Sequence, residues 1–166
     1  MRPALLVVDI QKAFFSRDPV TTASLENAVE YANITMPLFR ANGLPVVCVL
    51  HEDKEEGLVV GSPGFEPHES LHFEPEDIRV VKRTGSAFAG GTGLGDQLRS
   101  LGVDAVVITG FCAENCVLST CRGAEDEGFK AMLLQGSLAS GHPERIAFVQ
   151  AINEGLSLGT LQYLLG

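Results

Sequence analysis

Asp104-Ala-Val-Val-Ile-Thr-Gly-Phe-Cys-Ala-Glu-Asn-Cys116-Val-Leu-Ser-Thr-Cys-Arg-Gly-Ala-Glu-Asp-Glu-Gly128 decides how the chain is read, because an apolar run stops, a turn intervenes and a helical pattern begins beside a cysteine. Asp104 to Thr109 is rich in β-branched residues and apolar without alternation. That is the pattern of a strand buried on both faces. Beyond the turn, Val117, Cys121 and Ala124 recur at helical spacing, and Gly128 stands where a C-terminal cap glycine belongs. Cys116 thus falls at the first turn of a helix, where unpaired backbone N–H groups and the positive dipole end favour thiolate over thiol. The same cysteine also fits a core, since free cysteines are among the most buried side chains.

The rest of the chain repeats this alternation. Leu5 to Ile10 is a continuous apolar run broken only by Asp9, so a carboxylate is expected at the C-terminal end of a central strand. A loop carrying Phe14 and Phe15 follows. Leu25, Val29, Ala32, Met36 and Phe39 keep a helical period from about 23 to 42, with Thr22 or Ser24 as N-cap, Gly43 as terminator, and Pro37 expected to kink or shorten the helix. Pro45 to Leu50 reads as a second strand and Ile78 to Lys82 as a third. Between them, residues 51–77 form an irregular stretch suited to a lid or pocket wall. His51, His68 and His72 lie there without metal-ligand spacing and read as solvated loop residues.

Lys82 ends the third strand, where an edge lysine reaching solvent is the ordinary case. The glycines of the 83–92 loop match neither nucleotide-binding pattern. A helix from Leu94 to Leu101, a strand from Lys130 to Leu134, and a helix from Pro143 to Asn153 burying Ile146, Phe148, Val149 and Ile152 complete the pattern, with Leu158 to Leu165 as a sixth strand. Alternating strands and helices call for a three-layer, Rossmann-like α/β fold with a six-stranded, mainly parallel sheet flanked by helices. No repeat or linker divides residues 1–166, so one domain is expected.

Totals narrow the function classes. A net charge of −9 over 166 residues argues against nucleic acid or an anionic membrane as partner. No apolar run approaches the roughly twenty residues of a membrane span, and no cleavable signal pattern is present, so a cytoplasmic chain is expected. Its four cysteines should be reduced, and without a CxxC pair they suggest neither a zinc site nor a redox motif.

In parallel α/β sheets ligands sit beyond the carboxyl ends of the strands, and Asp9, Lys82 and Cys116 all fall at that rim. There a carboxylate can take a thiol proton, a cysteine can attack a carbonyl, and a lysine can hold the charges. Backbone N–H groups of the Phe111 to Cys116 turn can bind an oxyanion.

Asp9-x-Gln11-x-x-Phe14, Lys82 followed by Ser86-Ala-Phe88, and Gly110 six residues before Cys116-Val117, with Gly128 beyond, stand in register along the chain. Together they resemble the isochorismatase-like cysteine hydrolase family of nicotinamidases, N-carbamoylsarcosine amidases and isochorismatase, over essentially the whole length. The resemblance implies a triad of Asp9, Lys82 and Cys116, a cis peptide at Phe111-Cys112, and an oxyanion hole from the N–H groups of Cys112 and Cys116. It implies a substrate pocket touching Gln11, Phe14 and Phe88, no cofactor, and a homo-oligomer acting on a small molecule. It also implies cleavage of a C–N bond in an amide or ureido compound through a Cys116 thioester. Isochorismatase-type ether hydrolysis and a noncatalytic binding protein of the same fold are the alternatives. Three departures stand out. Ala113 replaces the threonine of a Gly-x-x-Thr-x-x-Cys turn, which removes a pocket hydroxyl. The loop after Phe88 is one glycine longer. Leu50-His51-Glu52 replaces the metal-binding Asp-x-His of nicotinamidases, so no metal is expected.

Overall fold

In the computed structural model, which describes residues 1–166, the apolar runs become strands β1 (Pro3–Val8), β2 (Val46–His51), β3 (Ile78–Lys82), β4 (Ala105–Phe111), β5 (Lys130–Ala139) and β6 (Gly155–Leu156). They form one sheet in the order β3-β2-β1-β4-β5-β6, every pairing parallel. The helices are α1 (Pro19–Ala41), α2 (Leu94–Ser100), α3 (Leu118–Asp126), α4 (Glu144–Ala151) and α5 (Leu158–Leu165). Alternate residues of β1 serve the two faces. Ala4, Leu6 and Val8 pack with the α2, α3 and α4 side, while Leu5 and Val7 pack with α1 and α5. A strand covered on both faces needs no polar alternation, which is why the central runs are uniformly apolar.

Several boundaries differ from the sequence expectations. α1 begins at Pro19 rather than near Ala23, because Asp18 caps it by accepting from the Thr21 N–H at 2.9 Å. Pro37 lies inside this helix without ending it. Its side chain is on the exposed face of the helix. On α4 only Val149 is buried, while Phe148 and Ile152 face outward.

The sixth strand expected at Leu158 to Leu165 is instead helix α5, and β6 is a two-residue strand just before it. Ser157 caps the helix by accepting from the Thr160 N–H at 3.1 Å. Leu158, Leu161 and Leu165 lie three and four apart and pack on one side, so the helical period overrides the apolar run. No helix is long and apolar enough to cross a membrane.

The order places β1 beside β4 where the chain reverses direction across the sheet, so the loops after these strands diverge and leave a crevice. Close approach there depends on Gly110. Its φ is +122°, and a Cβ would stand 2.1 Å from the Val8 carbonyl oxygen on β1. Gly110→Ala should therefore cost about 3 kcal/mol or more in a urea unfolding titration. Gly128→Ala, at φ +87° with no atom within 4 Å, should cost only about 1 kcal/mol.

Candidate active site

β1 ends in Asp9, whose φ of +51° makes it the one non-glycine residue with a left-handed backbone. Such strain persists only where the surroundings hold it. Here the Asp9 N–H donates to the Val49 carbonyl at 2.9 Å, and the side chain turns into the crevice as one of the few buried charges. Lys82 comes from β3, two strands away. Its stem crosses the end of β2, and Nζ reaches Asp9 Oδ2 at 2.8 Å, with both residues 1% exposed. Of the two readings open for Lys82, the structure excludes the solvated edge lysine: the Asp9 carboxylate and the His51 ring hold it inward at the rim.

Cys116 arrives from β4 through a cis peptide at Phe111-Cys112 and a π-helical turn over Ala113–Val117 that precedes α3. Lys82 Nζ lies 3.3 Å from Cys116 Sγ, 3.1 Å from the Thr84 carbonyl and 3.2 Å from His51 Nδ1. Four acceptors thus surround an ammonium that has three hydrogens. Asp9 Oδ1 finds no hydrogen-bond partner in the protein.

The electrostatics reverse the expectation of a ready thiolate. Burial pushes the Cys116 thiol up to about 12, the Asp9 carboxylate pushes the same way, and Lys82 only partly opposes them. Burial likewise raises Asp9 above the usual carboxylate range against the pull of Lys82. The resting arrangement is a neutral thiol beside an ion pair, with a base of raised affinity for protons at hand.

His51 belongs to this cluster and not to solvent. The ring accepts from Lys82 through Nδ1, and burial together with the Lys82 charge pushes its pKa down, favouring the neutral form. Gln11 is fully buried and places it, accepting from the His51 N–H at 2.8 Å and donating to the His51 carbonyl at 3.0 Å. Gln11 is therefore a backbone clamp and not a pocket wall. One signal for His51 was available in sequence, since β2 and β3 both end on a basic residue, and the parallel register pairs His51 with Lys82.

A cavity of ≈150 Å³ opens on these groups, lined by Asp9, Phe14, His51, Phe111, Cys112 and Cys116 among others. Phe88 lines a separate groove of ≈580 Å³ with Ser119 and Arg122, and packs on Phe129 with ring centroids 5.5 Å apart. Ala113 is buried in the apolar core, so the hydroxyl that a threonine would carry there is not missing from this cavity. The turn is braced by Glu114, which the sequence left unnoticed. Its carboxylate accepts from the Cys112 thiol at 2.9 Å, from the Ser140 hydroxyl at 2.8 Å and from Arg145 at 3.2 Å.

Four similarities to known proteins bear on this geometry. Residues 3–153 match the family model described as the isochorismatase domain. An isochorismatase family protein of Bacillus subtilis is 29% identical over 145 residues, which are 84% of this chain and 79% of that protein. The streptothricin hydrolase of Streptomyces noursei is 35% identical over 133 residues, 78% of this chain and 51% of that enzyme. The crystal structure of N-carbamoylsarcosine amidase from Thermoplasma acidophilum superposes with a TM-score of 0.81 at 27% identity, covering 95% of each chain.

Alkylation tests the electrostatics directly. With the thiol pushed up to about 12, the iodoacetamide rate at Cys116 should climb steadily through the alkaline range, with no plateau near neutrality. Asp9→Asn removes the charge that opposes ionisation and should speed labelling, whereas Lys82→Met should slow it. Peptide mass spectrometry separates Cys116 from the other three cysteines.

Proposed function

This chain belongs to the isochorismatase family, and from that membership we propose that it is a hydrolase cleaving a C–N bond of a small amide or ureido compound through a Cys116 thioester. The observation that carries the reading is the meeting of Asp9, Lys82 and Cys116: Asp9 and Cys116 line one cavity, and Lys82, buried behind them, has its Nζ within 3.3 Å of both partners. At ~30 Å³ per water, a cavity of ≈150 Å³ suits a small acyl group.

In this mechanism Asp9 takes the thiol proton as Sγ attacks the carbonyl carbon. The raised proton affinity of Asp9 suits it to that task, since a general base works best with a pKa near the operating pH. Lys82 stabilises the new thiolate by charge and hydrogen bond, replacing part of the interaction it had with neutral acceptors. The tetrahedral oxyanion accepts from the backbone N–H groups of Cys112 and Cys116. Collapse breaks the C–N bond, with the proton on Asp9 passing to the leaving nitrogen. Water, deprotonated by Asp9, then cleaves the thioester and restores the thiol. No step calls on a metal or cofactor.

The family model's own description supports a second reading, hydrolysis of the vinyl ether of isochorismate, in which a covalent acyl intermediate has no place. A panel of primary amides and ureido compounds separates the two by ammonia release, with intact-mass spectrometry of the enzyme during turnover. The expected result is an acyl adduct on Cys116, and a loss of about 10⁴-fold or more in Cys116→Ala. Amide turnover that survives this substitution would remove the thioester mechanism. Isochorismate turnover that survives it would establish the ether reading.

A further inference from the structure

We propose that the substrate is a cation, carrying an amine or guanidinium on the part that leads out of the cavity, and that Asp53 is the residue that pairs with it. This deepens the proposed function and rests on Cys116 as the reacting thiol.

The charges of the cavity wall divide into an inner and an outer set. Inside, Asp9 and Lys82 balance one another at 2.8 Å. The outer wall holds Arg17, Asp53 and Glu56. Arg17 is already paired, with its guanidinium 3.3 Å from Glu56. Asp53 has no cationic partner. Its Oδ1 accepts from the Glu55 and Glu56 N–H groups at 2.9 and 3.3 Å, which fixes the tight turn closed by the Asp53–Leu58 bridge. The outer wall therefore carries one negative charge in excess, on a turn fixed by its own hydrogen bonds. Asp53 and Glu56 are both felt at the His51 ring, which places their field inside the site and not only at its rim.

Two further observations favour a cation. Phe14 and Phe111 line the same cavity, and the Arg17 guanidinium lies 4.5 and 5.9 Å from their ring centroids. Ring faces beside a carboxylate are the recognised surroundings of ammonium and guanidinium groups, and here they already hold one. Asp9 is 1% exposed and lines this cavity with Oδ1 lacking a hydrogen-bond partner, so the inner end of the cavity carries a carboxylate and not a free cation. A substrate carboxylate would meet Asp53, Glu56 and Asp9, with the only outer cation already engaged.

Charged thiol reagents test this without a known substrate. Two methanethiosulfonates of similar size are compared, one bearing trimethylammonium and the other sulfonate. The Cys116 thiolate displaces methanesulfinate from either, and each rate is divided by that of the same reagent with N-acetylcysteine. Measured at Cys116 by peptide mass spectrometry in low salt, the cation-to-anion ratio should be about tenfold or more, and high salt should collapse it. Asp53→Asn keeps the oxygen that caps the turn and should lower the ratio by about threefold or more. Arg17→Gln should raise it. Opposite shifts exclude a common loss of structure as the cause. A ratio of one or below, a ratio indifferent to Asp53→Asn, or a cysteine that reacts with neither reagent would overturn the proposal.

A second arm separates this inference from the reaction type by comparing ammonia release from δ-aminovaleramide and glutaramate. Glutaramate turned over as fast as the amino amide would overturn the charge preference and leave the amidase reading standing. Strong cation preference in labelling with neither amide hydrolysed would do the reverse.

Discussion

An aspartate and a lysine, both almost wholly out of water and 2.8 Å apart, are the constraint on which the site depends. Each would be intolerable there alone, because removing one partner of a buried pair leaves an uncompensated charge at a cost of about 3–5 kcal/mol. The pair joins the end of β1 to the end of β3 across β2, so it also ties the sheet's central strand to its edge. An apolar pair of similar volume would hold the strands as well. Retaining charge at this place is explained by what the charges do to the neighbouring thiol.

Their effect is to hold the thiol protonated at rest while placing the means of ionising it alongside. Burial and Asp9 raise the thiol pKa, Lys82 lowers it, and the balance favours the neutral form. A permanently ionised cysteine would sit in a firm pair with Lys82 and gain little on meeting a substrate. With four acceptors around three ammonium hydrogens, Lys82 can shift its bonds toward sulfur as negative charge develops, at the expense of neutral His51. Stabilisation then grows along the reaction path, which is where it accelerates a reaction.

Particular residues show where the sequence was legible. The uniform runs at Leu5 to Val8 and Ala105 to Ile108 marked central strands, because burial on both faces leaves no room for polar alternation. Asp9 and Lys82 were visible as polar groups interrupting or ending such runs, and Cys116 as a thiol where a helical pattern begins after one. Helix α5 was misread because a short leucine-rich stretch suits strand and helix alike, and only the cap at Ser157 and the side it packs on separate them. Gln11 and Phe88 belonged to the recognised motifs, yet one clamps the His51 backbone and the other lines a separate groove. Motif membership shows that a position is constrained, and leaves open whether it faces the ligand.

By itself the sequence determined the alternation of strands and helices, the parallel sheet, the family, and the three polar residues at the strand ends. These follow from periodicity and residue type, which act over a few neighbours along the chain. Tertiary structure alone decided that Lys82 crosses β2 to meet Asp9, that His51 joins them, that Glu114 braces the cysteine turn, and that the thiol is protonated at rest. Strand order sets which distant residues share a dielectric environment, and the direction of a pKa shift depends on that shared burial. The cysteine looked activated when judged by its place at a helix start, whereas the depth of the crevice and the carboxylate from β1 push its pKa up and favour the neutral thiol.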